Sequence, residues 1–225
     1  MKPLMIYTPV NPTRPFVGRL RRLHRFNVEQ NDQKLFDYKE EEVVLHPNLQ
    51  KEGLWRGQNV IQHFNDFYDQ VKHDYEFIGK WDDDIVLMPG IIGRVLKLFE
   101  DESLIGVGLF QEDYGAPNIL MTDPLHPNSD DKPSGWYGAF SRFYVYRMKV
   151  WGRIPVEAPW LHGPQPETVR GEHSGDPDNE FQIRLKGKKH ILNEAYIHID
   201  HRALGEKAHE TYGLWVDLAY FLLKS

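Results

Sequence analysis

The chain contains no cysteine. That absence excludes disulfides, thiolate nucleophiles and thiolate metal sites, and leaves only oxygen and imidazole ligands for any metal. Long hydrophobic runs are missing too: none approaches the roughly 20 apolar residues of a membrane span, so an integral membrane protein is not expected. The opening Met1-Lys2-Pro3-Leu4-Met5-Ile6-Tyr7 reads straight into a strand, without the apolar segment and small-residue cleavage site of a secretory signal. A cytoplasmic location is the default expectation. Nor is there an excess of positive charge: 27 Lys and Arg stand against 33 Asp and Glu, a formal charge of -6, and broad nucleic-acid binding is not expected. One local basic stretch, Arg19, Arg21, Arg22, His24 and Arg25, is either a solvated helix face or a peripheral contact for anionic lipid or phosphate.

What is present suits one globular domain of 225 residues, 40% hydrophobic and 27% charged, with no internal repeat and no low-complexity linker. Leu4 to Val10 reads as a strand, Pro9 to Pro15 as a loop of turn formers, and Phe16, Val17, Leu20 and Leu23 as the apolar side of a helix. Residues 31 to 52 are polar and weakly patterned, with a short strand expected at Glu42 to Leu45. Val60, Ile61, Phe64, Phe67, Tyr68 and Val71 then form a helical stripe that leads into an apolar strand at Tyr75 to Trp81. Beyond it come a helix at 91 to 100, a strand at Leu104 to Phe110, and a polar segment from Gln111 to Ser134 with four prolines. Gly138 to Tyr146 is expected to be a strand, Phe181 to Lys186 a helix closed by Gly187, His190 to Asp200 a last strand, and Tyr212 to Leu223 a closing helix. Alternating β and α elements predict a mostly parallel α/β sandwich.

The strand at Tyr75 to Trp81 runs directly into three consecutive carboxylates, Asp82-Asp83-Asp84. Ligands of open α/β sheets bind at the carboxyl ends of the strands. A hard cation such as Mg²⁺ or Mn²⁺ takes one or two carboxylates together with substrate phosphate oxygens. A metal-bound phosphate substrate is the chemistry such a strand end suits. An acidic run after a strand also serves as a solvated turn, or as the N-cap of the helix that follows.

Several spaced signals together resemble a glycosyltransferase of the GT-A fold, closest to glycosyltransferase family 2. Thr8-Pro9-Val10-Asn11-Pro12-Thr13-Arg14-Pro15 resembles the family's opening strand and Pro-Thr-Tyr-Asn-Arg-Pro type loop, with two extra residues before Arg14. Gly53-Leu54-Trp55-Arg56-Gly57-Gln58-Asn59 resembles its Gly-Leu-Ala-Arg-Ala-Arg-Asn segment, with Gln58 in place of the second arginine. Asp82-Asp83-Asp84 falls where the family carries Asp-X-Asp. Gly138-Ala139-Phe140 and Tyr146-Arg147-Met148-Lys149-Val150 resemble a Gly-Ala-Phe strand and the turn after it on the acceptor side. Asp176-Pro177-Asp178-Asn179-Glu180-Phe181 opens a stretch similar to the family's Glu-Asp-X-Glu-Phe-X-X-Arg-Leu, with proline at 177. Tyr196-Ile197-His198-Ile199-Asp200-His201-Arg202 is similar to a His-X-X-His-Arg strand end.

The resemblance implies a GT-A type domain, a mostly parallel sheet flanked by helices, with a nucleotide-binding half near 1–110 and an acceptor half near 111–225. It implies that Thr8, Pro9, Val10, Arg14, Arg56, Asp82 and Asp83 contact the nucleotide, and that Asp84, with Asp82, His201 and His198, holds a divalent cation, Mn²⁺ or Mg²⁺. Asp178 corresponds to the general base of inverting members. For that role a carboxylate need only accept a hydroxyl proton as the sugar bond forms. The implied reaction moves a sugar from a nucleoside diphosphate sugar, a UDP-sugar by default, to a hydroxyl on a glycan, lipid-linked or protein acceptor. Two other readings stay open: a nucleotidyltransferase of related architecture, against which stands the lack of a Gly-rich phosphate loop with lysine, and a non-catalytic cation- or carbohydrate-binding module.

Overall fold

The computed structural model describes residues 2–13, 17–44, 58–109, 142–154, 181–182, 185–192 and 196–198. Its elements follow the order β1 (Leu4–Val10), α1 (Val17–Glu29), β2 (Phe36–Glu42), α2 (Gln58–Val71), β3 (Phe77–Trp81), β4 (Ile85–Leu87), α3 (Ile91–Leu98), β5 (Leu104–Leu109), β6 (Phe143–Arg147), β7 (Lys188–Leu192) and β8 (Tyr196–His198). Six strands form one sheet in the order β2-β1-β3-β6-β5-β7, and β4 and β8 form a separate pair. β1 is parallel to β2 and β3, and β5 to β7, while β6 runs antiparallel to both of its neighbours. The fold is therefore the expected mostly parallel α/β sheet flanked by helices.

Side-chain alternation builds a core on each face of the sheet. On one face Leu4, Ile6, Phe77, Trp81, Phe143 and Val145 pack with Val28 of α1 and Ile91, Ile92 and Val95 of α3. On the other, Tyr7, Ile78, Tyr144 and Tyr146 pack with Ile61, Phe64 and Phe67 of α2 and with Trp151. β3, β5 and β6 are buried along their whole length, the pattern of strands covered on both faces. Gly79 lets β3 and β6 meet: a Cβ there would lie 2.9 Å from the Tyr144 carbonyl oxygen and 3.2 Å from the Val145 side chain.

Three expectations change. The strand after α1 is Phe36–Glu42 rather than Glu42 to Leu45, and it pairs along its full length with β1. Its Phe-Asp-Tyr-Lys-Glu-Glu-Glu sequence hides it, because an edge strand with half-exposed positions needs no apolar alternation. The single strand expected at His190 to Asp200 is instead two, β7 in the main sheet and β8 beside β4. The expected strand at Gly138 to Tyr146 is described only from Arg142, with β6 at Phe143–Arg147. The helix expected at Phe181 to Lys186 stops short: Phe181 and Gln182 are helical but Leu185 and Lys186 are not, and the closing helix at Tyr212 to Leu223 lies outside the described residues.

Candidate functional site

Five strands of the main sheet point the same way, so Val10, Trp81 and Leu109 end at one edge. β6 runs the other way and brings its first residues to that edge, Phe143 opposite Trp81. Here β3 stops and the acidic run turns. The Asp82 N–H donates to the Arg142 carbonyl at 2.9 Å, and the Ile85 N–H returns to the Asp82 carbonyl at 3.2 Å. The Trp81 indole N–H closes the same turn by donating to the Ile85 carbonyl at 3.0 Å.

This turn is not solvated. Asp83 and Asp84 are only 4% and 3% exposed. Nor does it cap a helix, since β4 intervenes and α3 begins after Gly90, whose φ of 76° is a conformation glycine adopts without strain. Buried carboxylates require positive charge nearby. Lys80 supplies one, its Nζ 3.2 Å from Asp82 Oδ1. Arg142 supplies the other, with Nη1 3.8 Å from Asp82 Oδ2 and 4.0 Å from Asp84 Oδ2. Among the described residues the turn thus sets three acids against two bases.

Side chains from β1 and α1 hold this arrangement from behind. The Thr8 hydroxyl donates to the Trp81 carbonyl at 2.6 Å, and His24 Nε2 lies 3.3 Å from the Thr8 oxygen. His24 is 1% exposed and packs edge-on against Trp81, ring centroids 4.9 Å apart. Loss of water pushes its pKa down to about 4, against the pull of Glu40 and Asp84, with Arg25 adding to the fall. Asn27 acts on β4 as a neighbouring strand would. Its Nδ2 donates to the Leu87 carbonyl at 2.6 Å, and its Oδ1 accepts the Leu87 N–H at 2.7 Å.

The other edge of β4 is covered by β8, antiparallel, with Ile85 opposite His198 and Leu87 opposite Tyr196. The chain therefore leaves β8 beside Asp84. The structure brings Thr8, Asp82, Asp83, Asp84 and the backbone of His198 to one place. Thr8 and Val10 are buried and Pro9 is partly exposed. Arg14, Arg56, Asp178, His201 and the side chain of His198 lie outside the described residues. Among the described residues no group of three or more potential metal-ligating side chains gathers. Mg²⁺ and Mn²⁺ bind proteins through one or two carboxylates plus substrate oxygens, and the hard oxygens of Asp82 and Asp84 fit such an ion.

Sequence reasoning passes over Lys80, Arg142 and Asn27, and places His24 in an exposed basic stretch although it is buried. For Lys80 a signal exists: a lysine inside a strand buried on both faces needs a carboxylate, and period-two spacing points to Asp82. Of the basic stretch on α1, Arg21 pairs with Glu42 at 2.6 Å, Arg25 with Glu40 at 2.8 Å, and His24 faces inward. Arg147, read from the resemblance as part of the acceptor side, lies opposite Phe77 at the far edge of the sheet from the acidic turn. Among the described residues no helix is long and apolar enough to cross a membrane.

No protein-family model matches the chain, and no curated protein matches it. Solved structures do. Staphylococcus aureus TarS residues 1–349 superimposes with a TM-score of 0.57 at 12% identity, over 97% of this chain and 65% of that one. The longer TarS structure gives 0.55 at 12% identity, over 87% of this chain and 36% of that one. The complex of TarS 1–349 with UDP gives 0.53 at 10% identity, over 97% and 65%. The chain thus spans less than two thirds of the TarS structures it matches, and at these identities the likeness is one of fold.

Proposed function

From the GT-A-type fold as premise, we propose that the protein is a metal-dependent glycosyltransferase that moves a sugar, as a hexosyl group, from a nucleoside diphosphate sugar to a hydroxyl acceptor with inversion. The observation that carries this reading is the sunken acidic turn: three carboxylates at the carboxyl edge of the sheet, two of them almost fully buried. Such burial is costly for charge that serves only as a surface turn.

In this reading Thr8, Pro9, Val10 and Arg14 lie along the base and ribose, Arg56 meets a phosphate, Asp82 and Asp83 support the ribose side, and Asp84 holds the cation with Asp82. A histidine leaving β8, His198 or His201, completes the ligand set. A cation held by these residues would supply positive charge to offset that on the departing diphosphate. Asp178 accepts the proton of the acceptor hydroxyl. The acceptor oxygen bonds to the anomeric carbon from the face opposite the diphosphate, whose bond breaks with its electron pair leaving on the phosphate oxygen, and the anomeric configuration inverts. The UDP seen with TarS supports UDP as the nucleotide. The donor part is assigned to residues 1–110 and the acceptor part to 111–225, the acceptor being a glycan, a lipid-linked molecule or a protein.

Asp178→Asn tests the reaction. Transfer is expected to fall by about 10² to 10⁴, while the thermal shift given by UDP with Mn²⁺ stays near the unmodified protein's. Unchanged turnover would remove Asp178 from the mechanism. Pyrophosphate release from a nucleoside triphosphate would instead identify a nucleotidyltransferase, and ligand binding without any product a binding module.

A further inference from the structure

Arg142 occupies a position that the glycosyltransferase reading leaves unused. It stands just before β6, the strand that runs against the rest of the main sheet, and its carbonyl accepts the Asp82 N–H at 2.9 Å. Its guanidinium is thereby tied to the acidic turn through its own backbone. The side chain is 18% exposed, and one nitrogen reaches both Asp82 Oδ2 at 3.8 Å and Asp84 Oδ2 at 4.0 Å. Both distances exceed a charge-assisted hydrogen bond. The guanidinium is shared between the two acids and is not tightly bonded to either of these oxygens.

Those oxygens belong to the carboxylates assigned to the cation. A divalent ion on Asp84 and a guanidinium beside the same carboxylate repel one another, so each weakens the hold of the other. Lys80 does not compete in the same way, because it sits on the other oxygen of Asp82, at 3.2 Å. A diphosphate resolves the conflict. Its oxygens match the planar fork of arginine as a carboxylate does, and they reach the site with the cation. We propose that Arg142 is the resident counter-ion of the acidic turn: it keeps Asp84 closed to a bare divalent cation and passes to the diphosphate when nucleotide and cation arrive together. This rests on the reading of Asp82 and Asp84 as cation ligands. Arg142 then sets the order of loading, with the cation bound as a nucleotide complex.

Mn²⁺ binding, followed by the electron paramagnetic resonance of the free ion, tests it on the full chain without any turnover. For the unmodified protein Mn²⁺ is expected to bind at least about tenfold more tightly with UDP than without. Arg142→Gln is expected to tighten Mn²⁺ alone by about tenfold, to weaken UDP, and so to shrink the enhancement each ligand gives the other. Arg142→Lys, a point charge on a shorter reach, falls between the two. A folded R142Q protein that binds Mn²⁺ alone no better than the unmodified protein overturns the role of Arg142, while intact binding of Mn²⁺ with UDP in the unmodified protein keeps the transferase reading. If R142Q does not fold, equal Mn²⁺ affinity of the unmodified protein with and without UDP overturns the proposal. Failure of either protein to bind Mn²⁺, UDP present or not, overturns both the proposal and the metal reading beneath it.

Discussion

Because burial pushes the His24 imidazole down to about 4, the folded protein keeps this ring neutral at pH values where the unfolded chain protonates it near 6.5. Between those two values the unfolded state binds more protons. The stability that His24 contributes is therefore complete above about pH 6.5 and is lost as pH falls toward 4, by roughly 2 to 3 kcal/mol at pH 4.5. Urea unfolding at pH 7.5 and pH 4.5 should show a smaller acid loss for His24→Gln than for the unmodified protein. Equal losses would mean that His24 is charged in the native state. The site is partly legible at this scale. Asp82, Asp83 and Asp84 stand out because three consecutive carboxylates end an apolar strand at the sheet edge where ligands bind. Arg142 does not, because an arginine before a strand has many uses and only the antiparallel direction of β6 brings it to the acids. His24 and Asn27 read as members of a polar helix face, since nothing in their spacing says that buried polar groups await them.

At the level of elements, legibility follows length and burial. β1, α1, α2, α3 and β5 each carry enough apolar residues at one period to be read directly. β2 escapes because its charged residues sit half-exposed on an edge, and β4 and β8 because strands of three residues hold too little pattern. β4 also shows how a helix can stand in for a strand. Asn27→Ala would leave the Leu87 N–H and C=O buried without their α1 partner, at a cost of about 3 kcal/mol. That is roughly 6 to 12 °C in Tm for a chain of this size. Hydrogen exchange at Leu87 should accelerate more than at β1, and Mn²⁺ with UDP should bind less tightly as the acidic turn loosens. Unchanged exchange at Leu87 would show that β8 alone holds β4.

Across the whole molecule the two edges of the sheet divide the work. At the carboxyl edge the polar groups surround the acidic turn. At the amino edge Arg147, 6% exposed, joins the layers: it donates to the carbonyls of Leu104 at 2.8 Å and Phe99 at 2.5 Å, pairs with Glu76 at 3.2 Å, and covers the packed ring pair of Phe77 and Phe99 at 5.3 and 5.2 Å. Arg147→Lys removes the planar fork that reaches both carbonyls. It should lower stability by about 3 kcal/mol while leaving the metal and nucleotide affinities of the folded protein near normal. Loss of those affinities at unchanged Tm would contradict this division.

The pairing of β4 with β8 also bears on how the protein is made. β4 follows the acidic turn directly, yet its strand partner is synthesised on the order of a hundred residues later, which at 5–20 residues per second is roughly 5 to 20 s of translation. Until His198 has left the ribosome, Asn27 and the Trp81 indole hold β4 beside Asp84 without its strand partner. A nascent chain therefore carries three carboxylates without the strand that frames them, and the acidic turn gains its flank only once β8 has been made.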